Sequence, residues 1–418
     1  MSVEHLGKSG RYRVLIAGFL GWMFAGVEMS LMVSATRPAI QDFLGSSFTE
    51  QSADSWFSFY LVAFFLGAAL GGAVFGWVGD RWGRTQSMGL SILCYSAITG
   101  ISYFATSAEQ LLILRFLACM GVGGMWPSGV ALVSEAWPKV SRPILAGLIG
   151  TSANVGFLIL GLLMLTYPVQ QDTWRWVLLF GGSPVVLGIW VLLVVPESPQ
   201  WLMAKQQGKS KKKEIPILVV FRPPLLKLTL VGIALGTIPL LGGWASGQRL
   251  VPWAGRVGET LNLPDLKALT QTIWAIGAVL GSLGGGWLAH KIGRRLSYFL
   301  ISLGSLVLSL YLFMSIDPSQ GSFLPSAFLL GLVSTSFFGW LPYFIPELFP
   351  TGVRATGAGV SFNFGRILSA VAVLTTAALS QVFAGDIAKM GASTSLIYVL
   401  GMVIVWAIPS KPVREIEG

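Results

Sequence analysis

Gly76-Trp77-Val78-Gly79-Asp80-Arg81-Trp82-Gly83-Arg84 stands between two long apolar runs. At a shift of 210 positions, Gly286-Trp287-Leu288-Ala289-His290-Lys291-Ile292-Gly293-Arg294-Arg295 stands between two more. A second pair repeats nearby. Glu135-Ala136-Trp137-Pro138-Lys139-Val140-Ser141-Arg142 and Glu347-Leu348-Phe349-Pro350-Thr351-Gly352-Val353-Arg354 share an E-x-x-P-x-x-x-R spacing at a shift of 212. Two independent motif pairs in one register are hard to obtain by chance, so the chain reads as two copies of one unit.

The segments around these motifs define that unit. Apolar runs near 12–36, 56–78, 87–106, 111–134, 144–167, 174–195, 225–248, 269–289, 296–316, 322–345, 356–382 and 391–409 are each long enough to cross a bilayer as a helix, which takes roughly 20 apolar residues. The chain is 418 residues long, 54% hydrophobic and only 11% charged, with a mean hydropathy of +0.71. A soluble domain carries about a quarter charged residues, so soluble, disordered and disulfide-scaffold classes are excluded. The expected fold is an all-α polytopic membrane protein of about twelve helices in two pseudo-symmetric six-helix bundles: 1–203, then a basic linker over 204–224, then 225–418. A cavity between two such bundles is the architecture of alternating access.

Charge placement gives an orientation. Lys8, Arg11, Arg81, Arg84, Lys139, Arg142, the lysines of 205–213, Arg222, Lys227, Lys291, Arg294, Arg295, Arg354, Lys411 and Arg414 fall on one side. Arg37, Arg175, Arg249, Arg256, Lys267 and Lys389 fall on the other. Basic loops face the cytoplasm, which predicts a multi-pass protein of the inner or plasma membrane with both termini cytoplasmic. The net charge of +10 is then a topology signal rather than a sign of nucleic-acid binding. The N-terminal apolar run is too long for a cleaved signal and reads as a retained first span. Cys94, Cys119, His5 and His290 show no ligand spacing, so no metal is expected.

The quoted motifs resemble those of the major facilitator superfamily over essentially the whole chain. Within it, the E-x-x-P-x-x-x-R pairs, Pro196-Glu197-Ser198-Pro199-Gln200-Trp201-Leu202 and Glu347-Leu348-Phe349-Pro350-Thr351 with Arg354-Ala355-Thr356-Gly357 look like the sugar porter and organic-acid or organic-ion transporter branch. The Gly-Pro signature of drug antiporters is missing from the fifth span, which reads GLIGTSANVGFLILG. Two departures keep the substrate open. Trp244-Ala245-Ser246-Gly247-Gln248-Arg249 replaces the Gln-Gln pair of sugar porters, and Ala25 stands where aromatic-acid and sialic-acid relatives often have an acid.

Three ions lie deep in spans: Glu28, Arg115 and Arg366. A charge at the bilayer centre costs about 2.5–3.5 kcal/mol on insertion scales, so such residues face cavities and carry function. The resemblance implies that Glu28 carries a coupling proton against Arg115, as in proton-coupled sugar porters. Arg366 has no acid in a neighbouring span, and either bonds backbone carbonyls or captures a ligand carboxylate or phosphate. Asn154, which the 212 shift aligns with Arg366, and Asn363, Gln248, Trp126, Trp340, Tyr343, Trp22 and Tyr60 are candidate cavity residues. Asp80, Arg81, Arg84, Glu135, Arg142, Glu347 and Arg354 read as gating charges. The glycines at 67, 71, 72 and 76 read as helix packing.

The function expected is secondary active transport, as proton-coupled symport of a small organic acid or sugar-like solute. A neutral-sugar porter or uniporter is the first rival, followed by drug efflux and a non-transporting sensor; sparse His and Cys oppose a membrane enzyme. The expected partners are a small-molecule substrate and the lipid bilayer, the chain acting as a monomer with no cofactor and a proton gradient as energy source.

Overall fold

In a computed structural model, which describes residues 6–137, 142–206, 217–350, 353–378 and 386–408, twelve helices are long and apolar enough to span a membrane. They are numbered here as spans 1 to 12: Lys8–Ser47, Glu50–Arg81, Arg84–Phe104, Ala108–Ala136, Gly147–Thr166, Trp176–Val194, Leu226–Thr260, Leu266–Ile292, Arg294–Ser315, Phe323–Glu347, Thr356–Thr375 and Ile387–Ala407. Among the described residues there is no strand. Several helices outrun their apolar stretches because polar residues continue the helical hydrogen bonds past the hydrocarbon. Span 2 begins at Glu50 rather than near 56, capped by Thr49, whose Oγ1 accepts from the Ser52 amide at 3.1 Å. That puts Glu50 and Asp54 inside a helix, where the hydropathy reading had left them in a loop.

The repeated loop motif has a backbone reason. Gly83 and Gly293, at equivalent places in the two copies, have φ of +124° and +88°, a region in which a side chain is strained. Each lets one span turn directly into the next. Glu197 completes the first turn by accepting from the Arg84 and Thr85 amides at 2.9 and 3.1 Å, supplying acceptors to the otherwise open N-terminus of span 3.

Helices in hydrocarbon gain nothing by hiding apolar surface from one another, so they associate through close packing at small residues. Span 2 meets span 4 this way: a Cβ on Gly71 would lie 1.9 Å from the Met120 carbonyl oxygen, and one on Gly123 would lie 2.0 Å from that of Ala68. In the other half, a Cβ on Gly281 of span 8 would meet the Leu332 carbonyl oxygen of span 10 at 2.0 Å. The packing expectation holds for Gly67 and Gly71 but not for their neighbours. Gly72 faces the side chains of Asn363 and Arg366 across the bundle boundary, and Gly76 meets nothing within 4 Å.

Two spans are broken where they approach the molecular axis. Span 7 passes through a π-helical turn at Gly242–Ser246, and span 10 tightens into a 3-10 turn at Ser336–Gly339. Such interruptions survive at membrane depth only where protein or a cavity receives the freed backbone groups.

Gly71→Leu and Gly281→Leu should each destabilise the fold by about 1–3 kcal/mol or more through overpacking, seen as a lowered melting temperature in detergent. Gly76→Ala should leave that temperature unchanged.

Candidate functional site

A cavity of about 1020 Å³ lies between the two halves. Aromatic side chains from both form its walls: Trp22, Phe64, Trp126 and Phe157 from spans 1, 2, 4 and 5, and Trp244, Trp274, Phe338 and Phe362 from spans 7, 8, 10 and 11. Trp22 and Trp126 pack with ring centroids 4.9 Å apart, and Phe64 and Trp244 at 4.7 Å. Polar groups are few: Asn154, Gln248, Ser334, Thr335, Asn363 and Arg366 at depth, with Ser134, Glu135, Gln200, Arg294 and Glu347 toward the end that carries the loop motifs.

Arg366 sits on span 11. Its Nη1 donates to the Ala68 carbonyl of span 2 at 3.1 Å and to Asn363 Oδ1 at 3.2 Å. Among the described residues no carboxylate pairs with it. Asn154 mirrors it, Nδ2 donating to the Ala278 carbonyl of span 8 at 3.3 Å and to Ser282 Oγ at 3.1 Å. Ala68 and Ala278 are themselves 210 positions apart, so both polar groups grip equivalent carbonyls across the bundle boundary. Only one of the two is an ion.

Glu28 and Arg115 do meet, though away from this cavity. They are 0% and 2% exposed inside the first bundle, where Arg115 Nη1 donates to Glu28 Oε1. Arg115 Nη2 donates to the Glu28 carbonyl at 3.1 Å, and Thr99 Oγ1 of span 3 donates to Glu28 Oε1 at 2.5 Å. Glu28 Oε2 is buried with no hydrogen-bond partner among the described residues. The expectation that this acid faces a cavity is corrected: the side chain points between spans 3 and 4, while Trp22 and Met29 on other faces of the same helix reach the cavity.

Three further expectations change. Trp340 is 5% exposed in the core of the second bundle, edge-on to Tyr298 at 6.3 Å, because the turn at Ser336–Gly339 aims it at span 9 rather than at the cavity. Tyr60 is buried and donates its hydroxyl to the Ala108 carbonyl at 3.2 Å, so it closes the start of span 4 and does not line the cavity. Arg81 lies over the Trp77 ring, 5.3 Å from its centroid. The Tyr343, Arg142 and Arg354 side chains lie outside the described residues.

At the motif end the charges pair within each half. Arg84 bonds Asp80 at 2.6 Å and lies 4.0 Å from Glu135, which accepts from Ser198 Oγ; Arg294 bonds Glu347 at 2.5 Å. The glutamate of each E-x-x-P-x-x-x-R motif thus faces the arginine of its own loop motif. No ion pair among the described residues joins the halves here, and the cavity runs out toward this end.

The opposite end is closed by two arginines that sequence reading counts only for topology, together with three acids to which it gives no role. Arg37 of span 1 binds Glu50 of span 2 and Glu259 of span 7, each at 2.5 Å. Arg256 of span 7 binds Glu50 at 2.8 Å and Asp54 at 2.5 Å. Three of these four ion pairs cross between the halves. Their signal was present in the sequence, as acids and arginines clustered at three span ends, but helix ends that lie far apart in sequence do not announce that they meet.

The model of the Major Facilitator Superfamily matches residues 14–373. The chain belongs to the Major Facilitator Superfamily. It is therefore a multi-pass membrane transporter of small organic solutes and not an enzyme. It is 26% identical to the sialic acid transporter NanX of Escherichia coli over 96% of this chain and 95% of that one. It is 25% identical to the niacin transporter NiaP of Acinetobacter baylyi over 85% and 84%. Its fold is similar to that of the xylose transporter XylE of E. coli in an inward open conformation, with a TM-score of 0.73, 17% identity and coverage of 97% and 99%.

Arg256→Met removes two of the cross-half bonds and leaves the buried Asp54 carboxylate without its partner. A loss of 1 kcal/mol shifts a two-state population about fivefold. A cysteine at Ala268, 3% exposed in the closed seam, should then react with maleimide at least severalfold faster in the variant than in its parent, with Cys94 and Cys119 replaced in both.

Proposed function

We propose that the protein imports a small organic anion with protons, the bundles of 1–203 and 225–418 rocking about the cavity. The observation that carries this reading is Arg366: a guanidinium at the wall of an aromatic cavity, held from one side by Ala68 and Asn363 and matched by no carboxylate among the described residues. A cation without a carboxylate partner in a site of low dielectric favours an anion, and a guanidinium suits a carboxylate by paired hydrogen bonds. The tryptophans and phenylalanines suit a planar or otherwise apolar body. Relatives named for sialic acid, niacin and cis,cis-muconate transport support an organic acid over a neutral sugar.

Basic residues gather at the motif end, and basic loops of membrane proteins face the cytoplasm; this supports reading the conformation as inward-facing, with the Arg37–Glu259 and Arg256–Asp54 bonds as its outer gate. Asp80, Arg84, Glu135, Arg294 and Glu347 form the inner charge clusters, which rearrange when the inner ends of the bundles approach.

Coupling runs through span 1. One face of it carries Glu28, another carries Trp22 and Met29 into the cavity, and its outer end carries Ser34 and Arg37 into the closed seam. With Glu28 ionised, Arg115 clamps span 1 to span 4 through both the carboxylate and the backbone carbonyl. Protonation at the unpartnered Oε2 cancels the charge and loosens the clamp, so that span 1 moves with the gate. A single copy of the chain contains all of these parts.

Two measurements test the reading. The acids named for the relatives, N-acetylneuraminate, nicotinate and cis,cis-muconate, are screened by thermal shift, and at least one should stabilise the protein. Arg366→Ala should weaken that acid by about 10- to 100-fold, the value of charge-assisted hydrogen bonds, and leave its primary amide within about twofold. Equal losses would remove the anion assignment. In proteoliposomes, Glu28→Gln should abolish accumulation driven by a proton gradient while retaining exchange down a substrate gradient. Intact proton-driven accumulation would remove Glu28 from the coupling role.

A further inference from the structure

Span 8 carries a second cation that the cavity does not use. Lys267 lies in the first turn of that helix, half-buried in the closed outer seam. Its Nζ donates to the Ser34 carbonyl of span 1 at 2.5 Å and, at 3.4 Å, to the carbonyl of Val169 between spans 5 and 6. Both acceptors belong to the first half of the chain, whereas Lys267 belongs to the second. Among the described residues no carboxylate lies within ion-pair distance of it.

The same face of span 8 continues inward. Gln271, one turn on and 1% exposed, accepts from Ser34 Oγ at 2.7 Å and donates to the Phe157 carbonyl at 3.3 Å. Trp274 follows three residues later and lines the cavity, as does Phe157. Lys267, Gln271 and Trp274 are spaced i, i+4 and i+7, and so form one stripe of a helix. The stripe runs from the outer mouth to the cavity, and all of its polar bonds are to the other bundle.

We propose that Lys267 is an outer anion-binding site, which takes the carboxylate of the incoming substrate when the seam opens and passes it along Gln271 and Trp274 to Arg366. This rests on the organic-anion import proposed above. The physical step is an exchange of partners. Separation of the bundles carries the Ser34 and Val169 carbonyls away from Lys267 and lets water and solute reach the ammonium. A cation that has lost neutral acceptors and has no carboxylate of its own binds an anion, and a charge at the rim of an entry path raises the rate of capture. Reclosure exchanges the carboxylate for the two carbonyls, so one side chain seals the inward-facing state and receives substrate in the outward-facing one.

The test is uptake into proteoliposomes of whichever of N-acetylneuraminate, nicotinate and cis,cis-muconate stabilises the wild-type protein most, with its primary amide as the neutral control. For Lys267→Gln the KM for the acid should rise about 5- to 10-fold with kcat within about twofold, and the KM for the amide should stay put. Raising the ionic strength should weaken acid uptake by the wild type and leave the variant nearly flat, since salt screens exposed charge. Lys267→Arg should restore the wild-type KM.

A purely structural lysine gives a different pattern: the acid and the amide change alike, mainly in kcat. That result, or an unchanged KM and salt dependence in Lys267→Gln, overturns the proposal. The two readings fail separately. Equal changes for acid and amide in Lys267→Gln, with Arg366→Ala behaving as expected, remove only the outer site, whereas no stabilisation by any of the three acids removes the anion reading beneath it.

Discussion

The pairing of Glu28 with Arg115 holds span 1 in place, and span 1 reaches both the cavity and the closed seam. In hydrocarbon neither ion has water to fall back on, and removing one partner of a buried pair costs about 3–5 kcal/mol because the other is left uncompensated. Arg115 therefore grips both the carboxylate and the carbonyl of Glu28, and Thr99 adds a third bond from span 3. The helix held this way presents Trp22 to the cavity about two turns before Glu28 and Ser34 to the seam about two turns after it.

The two halves share a scaffold and differ in chemistry. Gly83 and Gly293 turn the chain in the same way, and the Ala68 and Ala278 carbonyls receive equivalent polar side chains. Duplication supplies this geometry without further specification, because equivalent backbones leave equivalent carbonyls facing the boundary. Function enters where the symmetry is broken. Arg366 stands opposite the neutral Asn154, and the buried ion pair belongs to the first half alone. Closure at the end opposite the motifs likewise joins three side chains of the first half to two of the second.

Many of the residues that matter were legible as individuals and obscure as partners. Glu28, Arg115 and Arg366 declared themselves by being charged within apolar runs, and Glu135 and Glu347 by their repeated spacing. Trp340 and Tyr60 misled because an aromatic residue in a span can face lipid, core or cavity with the same local pattern, and a short 3-10 turn after Thr335 was enough to rotate Trp340 into the core. Asp54 was hidden by a hydropathy boundary that fell six residues late. Glu197, Arg256 and Lys267 were visible as charges, but their roles depend on the helix or carbonyl that another part of the chain brings to them.

By itself the sequence determined that the chain lives in a bilayer, crosses it about twelve times, repeats once and places three ions where ions are costly. Those conclusions follow from composition, run length and spacing, which act locally and survive without knowledge of the fold. Tertiary structure alone decided that the motif end is open and the opposite end closed, that Glu28 sits beside the cavity rather than in it, and that Lys267 rests on carbonyls of the opposite half. The reason is rotational and topological. A helix can be turned about its axis without altering its apolar content, and bonds between residues as distant as Arg37 and Glu259 form only when packing brings their helices together.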